Sequence, residues 1–389
     1  MSDPLTQYQK DFLAKKMKRA MLVWSTGTFK TRTSIEWARE WGGATLVVCP
    51  KGLKENWKRE LKKWNAGYSV IVSKEEFKNR EHGKYDNLIV DEADHFFGMK
   101  SQLSKSLLAY LKKHDPHLLM LTATPLRGTP WNIFRAAAFL GKNWSYPVFQ
   151  AQFFTPIWMG ARQIWTPKKD EATKELMRQT IAGLGDVVRR EDHFDIPEQS
   201  YETVYVDEDA VQKKLKASSQ SVVAIARFTD DHRAEAMNQN KLDIVERLVE
   251  EENEKGTGVM VVCRYHEQID AYKAHLEKEG WDPLEVSGRI PAKTRQDAVD
   301  YVNENGGVLL VQSSTVEGYE LPNVRLMIFA SLDYSYRNRV QAEGRNLRMN
   351  AIAKNAYVTL LAGDADEAVW KAIQNKEDFD PVRYKPKPL

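Results

Sequence analysis

Two series of short apolar runs, one in each half of the chain, limit the fold more than any other feature. In the first half they fall at residues 20–24, 44–49, 69–72, 87–90 and 118–121. In the second they fall at 259–263, 284–286, 308–312, 324–330 and 357–361. Many are rich in β-branched residues, and longer amphipathic stretches separate them. A strand that is apolar on both sides is buried on both faces, and the stretches between supply the helices that cover it. The pattern predicts an α/β fold with two parallel sheets, each wrapped by helices. A chain of 389 residues also exceeds what one core usually holds. Only this architecture repeats; no short-period repeat is present.

Composition narrows the setting. Apolar residues make up 42% of the chain, enough for two cores. The two cysteines, Cys49 and Cys263, fall in different halves, which excludes a disulfide framework and fits a reducing compartment. Met1-Ser2-Asp3-Pro4 lacks the basic-then-apolar order of a signal peptide, and no apolar run is long enough to span a bilayer. The expectation is a protein without membrane contact, in the cytoplasm of a bacterium or a virus-infected cell, with the nucleus left open. The net charge of +3 hides an asymmetry. Residues 1–200 carry 32 Lys and Arg against 22 Asp and Glu, a net of +10; residues 201–389 carry 25 against 32, a net of −7. A basic half beside an acidic half suits a surface that meets a polyanion; ordinary solvated surface accounts for it equally well.

Residues 144–200 differ from both halves. They hold Trp144, Phe149, Phe153, Phe154, Trp158 and Trp165, and their only clear helical pattern is at 171–184. The expected organisation is a first lobe over 1–143, an aromatic and partly helical insertion that begins the link over 144–200, and a second lobe over 201–389. The acidic run at 250–252 reads as a solvated helix face, and Lys385-Pro386-Lys387-Pro388 as a loose tail.

In doubly wound sheets ligands bind at the carboxyl ends of strands, so the residues after each run carry the chemistry. After 20–24 comes Ser25-Thr26-Gly27-Thr28-Phe29-Lys30-Thr31, then a helical pattern with Ile35, Ala38 and Trp41. Strand, turn, Lys-Thr and helix make a phosphate loop: backbone N–H groups and the helix N-terminus hold phosphate, Lys30 adds a cation and Thr31 a hydroxyl for Mg²⁺. After 87–90 comes Asp91-Glu92-Ala93-Asp94. A carboxylate there can hold Mg²⁺ through water, and its neighbour can orient the attacking water. After 118–121 comes Thr122-Ala123-Thr124-Pro125, two hydroxyls beside a turn. Late in the chain, Gln341-Ala342-Glu343-Gly344-Arg345-Asn346-Leu347-Arg348 sets two arginines three apart, which on a helix share a face. Each of these alone also reads as an acidic turn, a capped turn or a basic surface helix; Gly344 inside the last pattern suggests close approach.

In order, these motifs resemble the superfamily-two helicases, and among them the Swi/Snf-type DNA translocases. Tyr8-Gln9 resembles the adenine-reading Q motif. Residues 27–31 match motif I, and 47–51 with Asn56, Trp57 and Glu60 resemble motif Ia. Residues 73–77 resemble motif Ib, 91–94 match motif II and 121–126 match motif III. Lys100-Ser101 and Ser104-Lys105 follow motif II as in the Swi/Snf pattern. Arg189-Arg190 and Ile196-Pro197 resemble the stretch that links the lobes. Lys241 precedes a helix leading to 259–264, which resembles motif IV. Ser287-Gly288 and Arg295 follow the next pattern; 313–321 resemble motif V, and 341–348 match motif VI. The resemblance spans residues 5–349.

The resemblance implies two RecA-like lobes that bind ATP and Mg²⁺ between them and step along one strand of a duplex. Tyr8, Gln9, Thr26, Gly27, Thr28, Phe29, Lys30 and Thr31 would meet the nucleotide, with Glu317 and Gly318 from the second lobe. Asp91 and Thr31 would hold Mg²⁺, Asp91 through water, and Glu92 would position the attacking water. Lys30, Asp91, Glu92, Gln341, Arg345 and Arg348 form the implied catalytic set. DNA-backbone contacts fall to Pro50, Lys51, Asn56, Ser73, Lys100, Thr124 and Arg127 in the first lobe. In the second they fall to Arg264, Ser287, Arg289, Ser313 and Ser314. Such contacts read no base sequence, so binding is expected to be non-specific and salt-sensitive.

Three departures stand out. Phe29 occupies the place before the lysine where the family usually has glycine. Motif II ends in Asp94, as in RNA helicases of the DEAD-box type, yet the first lobe lacks their Pro-Thr-Arg-Glu-Leu pattern and motif VI begins with Gln341. Motif V carries Glu317 and Glu320 where the family is richer in glycine. Three functions follow as alternatives. One is a duplex translocase that remodels DNA or strips proteins. The second is a strand-separating helicase on forked or branched DNA or RNA, with Trp158 or Trp165 as a candidate wedge, although such rings more often fill cores. The third is an ATP-gated DNA-binding subunit without hydrolysis. The compact chain leaves little sequence for a targeting domain and has no Cys/His cluster of metal-site spacing, so a monomer directed by DNA structure or by a targeting protein is expected.

Overall fold

The computed structural model describes residues 4–125, 129–159, 162–193, 198–219, 223–316, 319–346 and 354–381. It divides into two units, Met1–His193 and Phe194–Leu389.

The first unit carries a six-stranded sheet. Its strands are β1 (Arg19–Trp24), β2 (Thr45–Cys49), β3 (Ser69–Ser73), β4 (Asn87–Val90), β5 (His117–Thr122) and, after an antiparallel hairpin of β6 (Phe154–Met159) and β7 (Arg162–Pro167), β8 (Asp186–Val188). The order is β3-β2-β4-β5-β1-β8, and every pair is parallel. Parallel pairing puts the carboxyl ends of all six on one edge, so the turns after β1, β4 and β5 open on the same side. β2 and β4 are buried along their whole length, as their apolar runs require. Residues 144–193 cluster with this unit. They form helix Tyr146–Phe153, the hairpin, helix Glu171–Leu184 and β8. The first of these helices carries no apolar period readable from sequence.

The second unit repeats the plan with β9 (Gln199–Tyr205), β10 (Gly258–Cys263), β11 (Leu284–Val286), β12 (Gly307–Gln312), β13 (Val324–Phe329) and β14 (Asn355–Leu361). The order is β11-β12-β10-β13-β14-β9, again all parallel. Alternate residues feed two cores: Met260, Val262, Leu309, Val311 and Met327 join one, while Val259, Val261, Leu310, Leu326 and Ile328 join the other. The period of two thus buries both faces of the sheet. The fold is α/β with two parallel-sheet lobes. Among the described residues, no helix is long and apolar enough to cross a membrane.

Candidate nucleotide and nucleic-acid sites

The phosphate loop is built by the end of β1 and the start of helix Lys30–Trp41. Gly27 has φ 79° and Phe29 has φ 58°, ψ 31°. The second is the left-handed region, which side chains enter at a cost, and it explains why glycine suits that place. Phe29 keeps its N–H at the helix entrance, so the donors that cradle phosphate survive. Lys30 folds back over the loop and donates through Nζ to the carbonyls of Trp24 at 2.8 Å and Ser25 at 3.0 Å. Thr28 donates to the Ser25 carbonyl at 2.7 Å.

Two segments distant in sequence brace this loop. Tyr8 donates to the Thr28 carbonyl at 3.3 Å, and its ring packs on Trp24 and His193. Gln9, expected to read adenine, has both ends of its amide engaged inside the protein: Nε2 donates to Thr33 Oγ1 at 2.9 Å, and Oε1 accepts from the Thr6 N–H at 2.9 Å. On the other side the Ser25 N–H donates to the Val188 carbonyl of β8 at 3.0 Å. The buried Arg190 then clamps Thr26, through Nε to its carbonyl at 2.9 Å and through Nη2 to its hydroxyl at 2.6 Å. Sequence reasoning placed Arg190 only in a linking stretch and assigned it no contact with the loop.

At the end of β4, Asp91 accepts from the Trp57 indole N–H at 2.9 Å and from the Glu92 N–H at 3.0 Å. Burial, and then the charge of Glu92, push its pKa up to about 6, while Trp57, Lys30 and the Glu92 N–H pull it down. A dication relieves a carboxylate in that situation, so the donor set fits Mg²⁺. Trp57 was noticed in sequence without this role. Glu92 itself sits at φ 49°, ψ 51°, a strained conformation of the kind found at functional sites. Asp94 is buried and accepts from Thr122 Oγ1 at 3.5 Å, and the Thr124 N–H donates to the same hydroxyl at 3.1 Å. Neighbouring strands β4 and β5 thereby join the acidic motif to the Thr-Ala-Thr turn.

The residues expected to meet DNA divide by environment. In the first unit Lys51 and Lys100 are exposed, and Asn56 and Thr124 are half-buried, as is Thr31, which was expected at Mg²⁺ and not at DNA. Pro50 is buried at the end of β2, and Ser73 is spent on capping helix Lys74–Asn79, where it accepts from the Glu76 N–H. In the second unit Arg264 stacks over Tyr334 at 3.7 Å and pairs with Asp333 at 3.3 Å. Arg289 is held between Asp270 and Glu285, which raises its pKa above the usual arginine range. Ser287 is buried and donates to Glu285; Ser313 donates to Asp333 at 2.9 Å, and Ser314 is exposed.

The helical placing expected for Arg345 is corrected. Helix Tyr336–Glu343 stops before Arg345, with Gly344 at φ −69°, a conformation any residue adopts. Arg345 lies in the following turn, buried, and donates to the Tyr319 carbonyl at 3.2 Å. Gln341 is buried in the helix. Lys241 lies inside helix Asn240–Asn253 and not ahead of it; it is fully buried against Asp366 at 2.8 Å. Arg348, Arg127, Glu317 and Gly318 lie outside the described residues.

A family described as the helicase conserved C-terminal domain matches residues 240–350. The CHD3-type chromatin-remodeling factor CHR7 of Arabidopsis thaliana is 21% identical over 85% of this chain and 32% of its own length. The human DNA excision repair protein ERCC-6 is 19% identical over 84% of this chain and 27% of its own. The chain is thus similar to helicase-family proteins, in residues 240–350 by the family match and over most of its length by these two relatives. The chain spans about a third or less of the length of those two relatives. A solved structure titled as the Sulfolobus solfataricus SWI2/SNF2 ATPase core in complex with dsDNA is 17% identical, covering 96% of this chain and 91% of that one, with a TM-score of 0.44.

Proposed function

We propose that this chain is a Snf2-type, ATP-hydrolysing motor that tracks along duplex DNA and remodels DNA or protein–DNA complexes. The observation that carries the reading is the pairing, on one edge of one sheet, of a left-handed phosphate loop holding Lys30 with the strained Asp91-Glu92 turn. Lys30, the N–H groups at the start of its helix and the flanking loop residues hold the ATP phosphates. Thr31 and Asp91 hold Mg²⁺, which supplies positive charge to the transferred phosphoryl group when bound. Glu92 orients the attacking water and accepts its proton. Gln341, Arg345 and Arg348 are assigned to the same nucleotide. Lys51, Lys100, Asn56 and Thr124 meet the DNA backbone, as do Ser314 and Arg264 of the second unit. Backbone contact makes binding blind to sequence and steeply weakened by salt. The motor works as a monomer, and DNA structure or a targeting protein chooses its site.

The test is phosphate release measured with no nucleic acid, blunt duplex DNA, forked DNA, single-stranded DNA and RNA. Hydrolysis should rise with duplex and disappear in Lys30→Ala and in Glu92→Gln. An intact protein whose hydrolysis does not respond to DNA sinks the reading, and one that responds only to RNA replaces the substrate.

A further inference from the structure

The hairpin β6–β7 takes no part in the nucleotide site, and its sequence setting is unusual. From Pro116 through Lys169 the chain contains no Asp or Glu, although it carries 54 of them in 389 residues. At that average the stretch would hold roughly seven. It holds instead six Lys or Arg and ten aromatic residues. Most of the rings fill the unit's core, but the hairpin carries some of them out of it.

The root of the hairpin is fixed. Phe154 is buried and stacks on Trp131 with ring centroids 4.5 Å apart, and the Lys168 N–H donates to the Phe153 carbonyl at 2.9 Å. Beyond the root the apolar side chains meet water: Trp158 is 67% exposed, Ile157 44% and Trp165 37%. The register sets Trp158 opposite Gln163 and Trp165 opposite Pro156. Trp158 and Trp165 therefore lie on one face in diagonal positions, where large side chains reach each other. A two-stranded ribbon is marginal in water, and exposed rings on it mark a surface made for contact.

Charge decides what that contact is. The sequence from β6 to the end of the turn after β7 has Arg162, Lys168 and Lys169 and no carboxylate. Exposed flat rings on strands whose own charged residues are all cationic form the pattern by which proteins stack successive bases of a single strand. A base inside a duplex hides its faces, so the pattern selects unpaired bases. We infer that the β6–β7 hairpin is a base-stacking platform on which Trp158 and Trp165 take unpaired bases of the DNA. The inference deepens the motor reading and rests on it for the choice of DNA.

The full chain is tested for binding to a blunt duplex and to the same duplex with a single-stranded tail containing 2-aminopurine, by anisotropy and by 2-aminopurine emission. The wild type binds the tailed DNA more tightly and quenches the tail. Each of Trp158→Ala and Trp165→Ala loses about tenfold in affinity for the tailed DNA. Both keep their affinity for the blunt duplex, which also reports that they fold. Trp158→Phe and Trp165→Phe retain a ring and most of the tail affinity. Unchanged tail affinity in the double Ala variant overturns the platform, as does equal loss on both DNAs. Self-association of the wild type that the double variant abolishes overturns it in favour of a second copy as the occupant. A wild type that ignores blunt duplex but binds the tail in a Trp-dependent way supports the platform and defeats the duplex motor.

Discussion

Replacing Phe29 by glycine and by alanine isolates the backbone cost stored in the phosphate loop. Phe29 stands at φ 58°, ψ 31° at the entrance of helix Lys30–Trp41. A left-handed conformation costs a residue with a Cβ about 1–2 kcal/mol. Both variants lose the ring and whatever it touches, so that loss cancels between them. Glycine escapes the Cβ cost but gives back about 0.4–1 kcal/mol through a more mobile unfolded chain. The glycine variant should therefore be the more stable of the two by about 0.5–1 kcal/mol. In a unit of this size that difference corresponds to roughly 1–4 °C in Tm. Urea unfolding followed by tryptophan emission reads the right unit, because nine of the eleven tryptophans precede residue 194. An alanine variant as stable as the glycine variant, or more so, refutes a left-handed Phe29. Both variants keep the N–H at position 29, so hydrolysis should survive in each, in contrast to Lys30→Ala.

Arg190→Met removes a charged clamp from Thr26. Hydrogen bonds from a charged group contribute about 1.5–3 kcal/mol, so the variant should lose stability on that scale and raise KM for ATP more than it lowers kcat. Unchanged unfolding and unchanged KM would show that the clamp has no role in the loop. His232 is fully buried in the second unit, with Nδ1 2.9 Å from the Tyr265 hydroxyl and Nε2 3.4 Å from Asp366. Burial lowers its pKa to about 4 despite the attraction of Asp366; Arg264 and Lys241 push the same way as burial, and Asp333 opposes them. Between the ordinary value of 6.5 and 4 the unfolded chain takes a proton there and the folded one does not. Its contribution to stability is thus present above pH 6.5 and lost as pH falls toward 4. His232→Gln should flatten the acid-side fall in Tm over that window, and an unchanged slope tells against the assignment. Glu235, pushed up to about 7 by burial and by Asp366, works in the opposite sense and is present in both proteins.

What could be read in advance followed from chain connectivity. The ten apolar runs became ten strands, with ends within a residue or two, because a strand buried on both faces needs no partner to be recognised. Lys30, Asp91 and Glu92 were legible for the same reason: each follows its own strand, and parallel pairing brings strand ends to one edge whatever the details. Two of the four edge strands escaped notice. β8 has three residues, and β9 is mostly exposed on its outer side, so neither shows an apolar run. Choice of tertiary partner escaped it too. Arg289 reads as a free cation until Asp270, from helix His266–Lys278, is folded against it together with Glu285. Arg345 reads as part of a helix until that helix stops at Glu343. Arg190 combines both blind spots, since it reaches Thr26 only because β8 adds to the edge of β1 and delivers it there. A basic residue two positions past a short polar-edged strand is a weak signal by itself. It gains meaning only once that strand is known to lie beside the strand that carries the phosphate loop.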